Sequence, residues 1–95
     1  MTIFQIECFL AVAEHLNFAR AATQLNVSQP AITRQIHTLE AELGTQLFIR
    51  STRMVRLTEN GRIFQSDAQL IVNTARRSVQ RFASQDESKI IDFHI

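Results

Sequence analysis

Arginines stand in two stretches of this chain that contain no acid. Arg20 and Arg34 lie where no Asp or Glu occurs between His15 and Leu39, and Arg50, Arg53 and Arg56 lie in a second such gap between Leu43 and Thr58. A guanidinium is permanently charged and planar, and it presents donors in a fork that matches phosphate oxygens or the acceptor edge of guanine. Gln29, Thr33 and His37 add neutral donors and acceptors beside Arg34. This set of residues points to anion and base recognition. Catalysis is poorly served: Cys8, His15, His37 and His94 have no triad or metal-ligand spacing, and no Gly-rich phosphate loop is present. The chain reads as a non-enzyme with no metal and no cofactor of its own.

Net charge is only +1 over 95 residues, so composition alone selects no partner. Distribution says more. The acids gather at Glu7 and Glu14, at Glu40 and Glu42, and near the end at Asp86, Glu87 and Asp92. A nearly neutral chain with segregated charge implies one anion-seeking face. The single cysteine, Cys8, cannot form an internal disulfide and is expected as a small buried hydrophobe. No apolar run is long enough to span a bilayer, and no signal-peptide pattern occurs. These features suit a soluble cytoplasmic chain without a membrane partner.

The elements that must position the arginines follow from periodicity. Ile6, Phe9, Leu10 and Ala13 predict a helix over roughly residues 3 to 15. Asn17 stands where an N-cap belongs, before the short helix "FARAATQL" that buries Ala21, Ala22 and Leu25. "NVS" makes a turn and Ser28 caps a third helix, its hydroxyl placed to accept from the N–H of Ala31. Pro30 falls in the first turn of this helix, where its missing N–H has no intrahelical acceptor to lose. At ~100° per residue, Ile32, Ile36, Leu39 and Leu43 share an arc of about 60°, the buried stripe. Pro30, Arg34, His37 and Ala41 lie opposite, with Thr33 beside them, and Gly44 ends the helix.

"QLFIR" and "VRLT", joined by "STRM", predict a β-hairpin carrying Arg50, Arg53 and Arg56. Thr58 and Glu59 open a long helix reaching about Asp86. Its narrow stripe of Phe64, Ala68, Ile71, Ala75, Val79 and Phe82 resembles a seam for a second helix. "IDFHI" alternates apolar and polar residues like a strand, one with nothing in this chain to pair with.

Three short helices, a basic hairpin and a long helix make a mainly α fold, the winged helix-turn-helix. In that motif the second helix of the pair enters the major groove of double-stranded DNA with its N-terminal residues at base edges. Ala31 and Thr33 are small enough for close approach, Arg34 fits guanine and Gln29 fits adenine. Arg50 and Arg53 suit phosphates or a narrow minor groove. Arg34 as a plain surface arginine, His37 as a side chain in water, and Arg20 as a partner of a helix end remain open alternatives.

The segment "FARAATQLNVSQPAITRQIHTLEAELGTQLFIRSTRMVRLTENG" resembles the N-terminal signature of LysR-type transcriptional regulators. The Ala-Ala pair, "LNVSQPA", "RQI", "LE-x-ELG", "LF-x-R" and "LT-x-x-G" occur in that family's order and spacing, and the likeness covers residues 3 to about 85. It implies a bacterial regulator with a DNA-binding head over 1–58, whose reading helix is 28–43 and whose wing is 47–57. A dimerisation helix over 59–87 would follow, then a hinge over 88–95 that starts an effector-binding domain. A small-molecule co-inducer belongs to that further domain. By the same resemblance Gln29, Pro30, Thr33, Arg34 and His37 read DNA, Arg50 and Arg53 form the wing contact, and the linker helix makes a homodimer, with a tetramer open to the full-length protein. The residue-level reading adds Ser28, Ala31 and Asn17 to the DNA-binding set.

Overall fold

A computed structural model describes the backbone of residues 1–94 and the side chains of residues 1–84. Its elements are α1 (Ile3–His15), α2 (Phe18–Leu25), α3 (Gln29–Leu43), β1 (Phe48–Arg50), β2 (Val55–Leu57) and α4 (Glu59–His94). Each boundary has a local cause. Thr2 caps α1 in a box with Gln5, Asn17 Oδ1 accepts from Arg20 N at 2.9 Å, and Ser28 Oγ accepts from Ala31 N at 3.2 Å. Leu16, Asn26 and Gly44 stop the first three helices in the left-handed conformation, with φ of 49°, 58° and 71°. Asn tolerates that region well and Gly freely, whereas Leu16 is held there against its branched bulk.

α1 packs against α2, α3 and α4, and α2 against α3. The core lies where they meet. Phe9 and Val12 of α1, Ala21 of α2, Ile32, Ile36 and Leu39 of α3, and Leu47 beside β1 are all buried, as is Cys8. The Phe9 ring touches Phe48 at 5.3 Å and Phe64 at 5.0 Å between centroids, so the hairpin and α4 close on the same aromatic. The two strands pair antiparallel, with Phe48 opposite Leu57 and Arg50 opposite Val55.

Two expectations need correction. Helix α4 runs to His94, through the residues expected as a hinge and as the start of a strand. Five alternating residues hold either period, and a helix satisfies its backbone groups within itself, whereas a strand here would have no free partner among the described residues. Ile95 and the side chains of 85–95 lie outside the described residues. The seam on α4 is also divided. Ala68 is fully buried in the head's own core, and Phe64 and Ile71 pack against it. Val72, off the expected stripe, is buried beside them. Ala75 is half-buried, and only Val79 and Phe82 stand well exposed, at 70% and 59%.

Candidate nucleic-acid interface

The first turns of α3 present Gln29, Pro30, Thr33, Arg34 and His37 on one open surface patch. Arg34 and His37 are exposed and Thr33 is half-buried, while Ala31, also half-buried, does not line the patch. The face is set by Ile32, Ile36 and Leu39, whose burial against the core rolls the helix so that its acid-free side points outward. Ser28 spends its hydroxyl on the helix cap, and Asn17 does the same for α2 with its side-chain oxygen. Both are exposed, although Ser28 does not line the patch, and the amide donors of Asn17 carry no hydrogen bond among the described residues.

A second concavity joins the helix pair to the hairpin. Asn17 and Phe18 at the start of α2, Gln29 at the start of α3, and Arg50 and Arg53 of the hairpin line one cleft. Residues separated by up to 36 positions are thus brought to a single surface. Arg50 lies with its guanidinium carbon 4.0 Å from the centroid of the Phe18 ring. Arg53 stands exposed at the tip. The tip makes its turn without glycine and without a positive φ. Ser51 Oγ accepts from Met54 N at 3.1 Å and Ser51 N donates to Met54 O at 2.9 Å, which closes the hairpin instead.

The charges on this face are uncompensated. Among the described residues the one ion pair joins the N-terminal amine to Glu42, so no carboxylate neutralises Arg34, Arg50, Arg53 or Arg56. Arg20 lies apart, in a shallow surface patch with His15, Ala19, Thr23 and Gln24.

Three positioning contacts carried little sequence signal, although Thr58 was expected to open α4. Glu40, grouped in the sequence only with the other acids, turns its carboxylate on the entry to β1, where Oε2 accepts from Leu47 N at 2.7 Å and from Phe48 N at 3.4 Å. Thr58 caps α4 by accepting from Gly61 N at 2.9 Å, and donates its hydroxyl proton to Gln46 O at 2.7 Å. Gly61 lets α4 approach so closely that a Cβ there would meet Leu47 O at 2.2 Å. Together they fix the hairpin relative to α3. The spacings "LE-x-ELG" and "LT-x-x-G" were the available signals; Glu40 of the first, and Thr58 and Gly61 of the second, meet the 46–48 segment.

The profile of the bacterial regulatory helix-turn-helix protein, lysR family, matches residues 3–62, which span α1 to the opening of α4. The chain belongs to the lysR family. Among lysR-type relatives it is similar to the HTH-type transcriptional regulator TfdS of Cupriavidus pinatubonensis, with 43% identity over 90 residues, 95% of this chain and 30% of that protein. Its fold is similar to the crystal structure of a CbnR_DBD–DNA complex, with a TM-score of 0.84 and 47% identity over 90% of this chain and 98% of the other. A BenM_DBD/catB site 1 DNA complex matches with a TM-score of 0.84 and 34% identity, covering 88% of this chain and 94% of that one. The chain spans about a third of the length of these curated lysR-type relatives. Among the described residues, no helix is long and apolar enough to cross a membrane.

Proposed function

We propose that this chain is the sequence-specific DNA-binding part of a LysR-type transcriptional regulator. Helix α3 reads the major groove through Gln29, Ala31, Thr33, Arg34 and His37, and the hairpin reaches the adjacent groove or backbone through Arg50 and Arg53. The observation that carries this reading is the cleft joining Asn17, Gln29, Arg50 and Arg53, on a face where, among the described residues, no carboxylate pairs with the arginines. Ser28, Pro30 and Asn17 act chiefly by fixing where α2 and α3 begin, which sets the register of the side chains that follow. The DNA complexes of CbnR_DBD and BenM_DBD support double-stranded DNA as the partner.

A homodimer completes the reading. Val79 and Phe82 leave an apolar strip on α4, and Ile3, Val72, Ala75 and Val79 line an apolar groove between α1 and α4. A second α4 would cover both and place two α3 helices on one side of DNA, about one helical turn or 34–36 Å apart. A co-inducer would act on a further domain, tetramers would form in the longer protein, and a regulator of DNA works in the cytoplasm rather than as an enzyme. Selection of bound duplexes from a randomised pool, followed by gel shift, tests the proposal. An enriched two-fold motif bound by this chain is expected, and an unenriched pool with no specific shift would refute it.

A further inference from the structure

Arg50 is held in an unusual way for a surface arginine. Its guanidinium carbon sits over the Phe18 ring at van der Waals distance, and no described hydrogen bond or ion pair uses its donors. Phe18 is itself fixed. It is 4% exposed, and its ring meets Phe48 edge-on at 6.1 Å, while Phe48 leans on Phe9 at 5.3 Å. An unbroken run of aromatic contacts thus leads from the middle of the core to the exposed arginine. The ring belongs to the first residue of α2 and the arginine to the last of β1, so the contact also spans the cleft between helix pair and hairpin.

Two other ways of ordering such an arginine would each carry a functional cost. A carboxylate partner would neutralise the charge and compete with phosphate. A backbone carbonyl would consume donors of the fork. An aromatic face attracts the cation through its quadrupole and takes neither. We infer that Phe18 is a positioning residue for DNA binding, holding the Arg50 fork ready for a phosphate or groove edge while leaving its charge and donors free. The inference rests on the DNA-binding reading above. The long arginine side chain then loses less freedom when DNA arrives, because part of that ordering is already done in the free protein.

Phe18 also fills core space, so shape and electrostatics must be separated. Site-specific replacement of Phe18 by difluoro- and pentafluorophenylalanine keeps the ring's shape while draining its negative face. Affinity of each protein for one selected duplex should fall stepwise with fluorination, by about two- to five-fold per half-site at the end of the series, the scale of an exposed cation–π contact. Thermal midpoints measured without DNA report any loss of packing. In an Arg50→Ala background the same series should leave affinity unchanged. Equal affinity across the series with Arg50 present, or an equal decline with Arg50 absent, would overturn the positioning role while leaving DNA binding intact. If the unmodified chain binds no duplex, the DNA-binding reading fails, and this role fails with it.

Discussion

Gly61→Ala offers the sharpest test of how the hairpin is held. A Cβ on Gly61 would lie 2.2 Å from Leu47 O, 3.1 Å from Leu47 C and 3.0 Å from Leu57 Cδ2. The leucine methyl can turn away, but the carbonyl is backbone and already accepts from Thr58 N at 3.0 Å. Helix and loop must part by nearly an ångström. Overpacking against groups that cannot rotate costs about 1–3 kcal/mol, and weakening the Thr58–Leu47 hydrogen bond about 1 kcal/mol more. Alanine returns roughly 0.5–1 kcal/mol through helix propensity. The net loss is about 2–3 kcal/mol, roughly 10–20 °C in the thermal midpoint of a domain this size.

Gly44→Ala is the control, because nothing lies within 4 Å of the added methyl and only the φ of +71° opposes it. That change should cost about 1–2 kcal/mol. Urea or thermal denaturation of both variants decides. A Gly61→Ala protein within about 0.5 kcal/mol of the parent, or more stable, would refute the close approach of α4 to the 46–48 segment. Below its midpoint the same variant should also bind DNA more weakly, since the displaced loop feeds directly into the strand that ends at Arg50.

The remaining expectations concern recognition, assembly and the buried thiol. Arg34→Ala should lose about 1–3 kcal/mol of discrimination at one position per half-site, whereas Arg53→Ala should weaken most sequences alike; profiles on randomised duplexes separate the two. If about four to six phosphates are neutralised per subunit, the log–log dependence of dimer binding on salt should have a slope on the order of −7 to −11, and a slope near zero would remove the electrostatic basis of the interface. Val79→Glu should shift sedimentation from dimer to monomer while leaving the head folded, because Val79 is 70% exposed and outside the core; an unchanged dimer would move the interface elsewhere. Burial, then the nearby Glu7 carboxylate, pushes the Cys8 thiol up from 9.0 to about 11. Only the unfolded chain would ionise this thiol readily between those values, so its contribution to stability is intact below pH 9 and falls as pH rises to 11. Denaturant midpoints against pH should show that decline, and Cys8→Ala should remove it.

What could be read from the sequence was what short-range rules govern. The starts of α2 and α3 and the end of α3 were legible because Asn17, Ser28 and Gly44 act on backbone groups within a few residues of themselves. The outward face of α3 was legible because Ile32, Ile36 and Leu39 set its roll, and the missing acids marked what remained. Contacts across longer spans left no such trace. Glu40 meets Leu47 across a turn, Phe18 meets Arg50 across two elements, and Gly61 matters only because Leu47 O comes so near. Alternation after Ile90 was misleading, since so few residues cannot separate the strand period from the helix period, and α4 runs on to His94.

The α4 stripe shows where periodicity stops being informative in a different way. A spacing of threes and fours reports which side of a helix is apolar but says nothing about what covers it. Phe64, Ala68 and Ile71 are covered by the chain's own head, while Val79 and Phe82 continue the same face beyond it. That continuity has a mechanical consequence. Because Ala68 and Val72 are locked in the core, they fix the rotation of α4, and a stiff helix carries that rotation forward to Val79 and Phe82. The direction from which a second chain could approach is therefore set inside the head. At its other end α4 is clamped through Thr58 and Gly61 to the segment that launches the hairpin. One helix thus ties the placement of Arg50 and Arg53 to the placement of the proposed dimer surface. The spacing of two reading heads on DNA would then depend on core packing around Ala68 as much as on the interface itself.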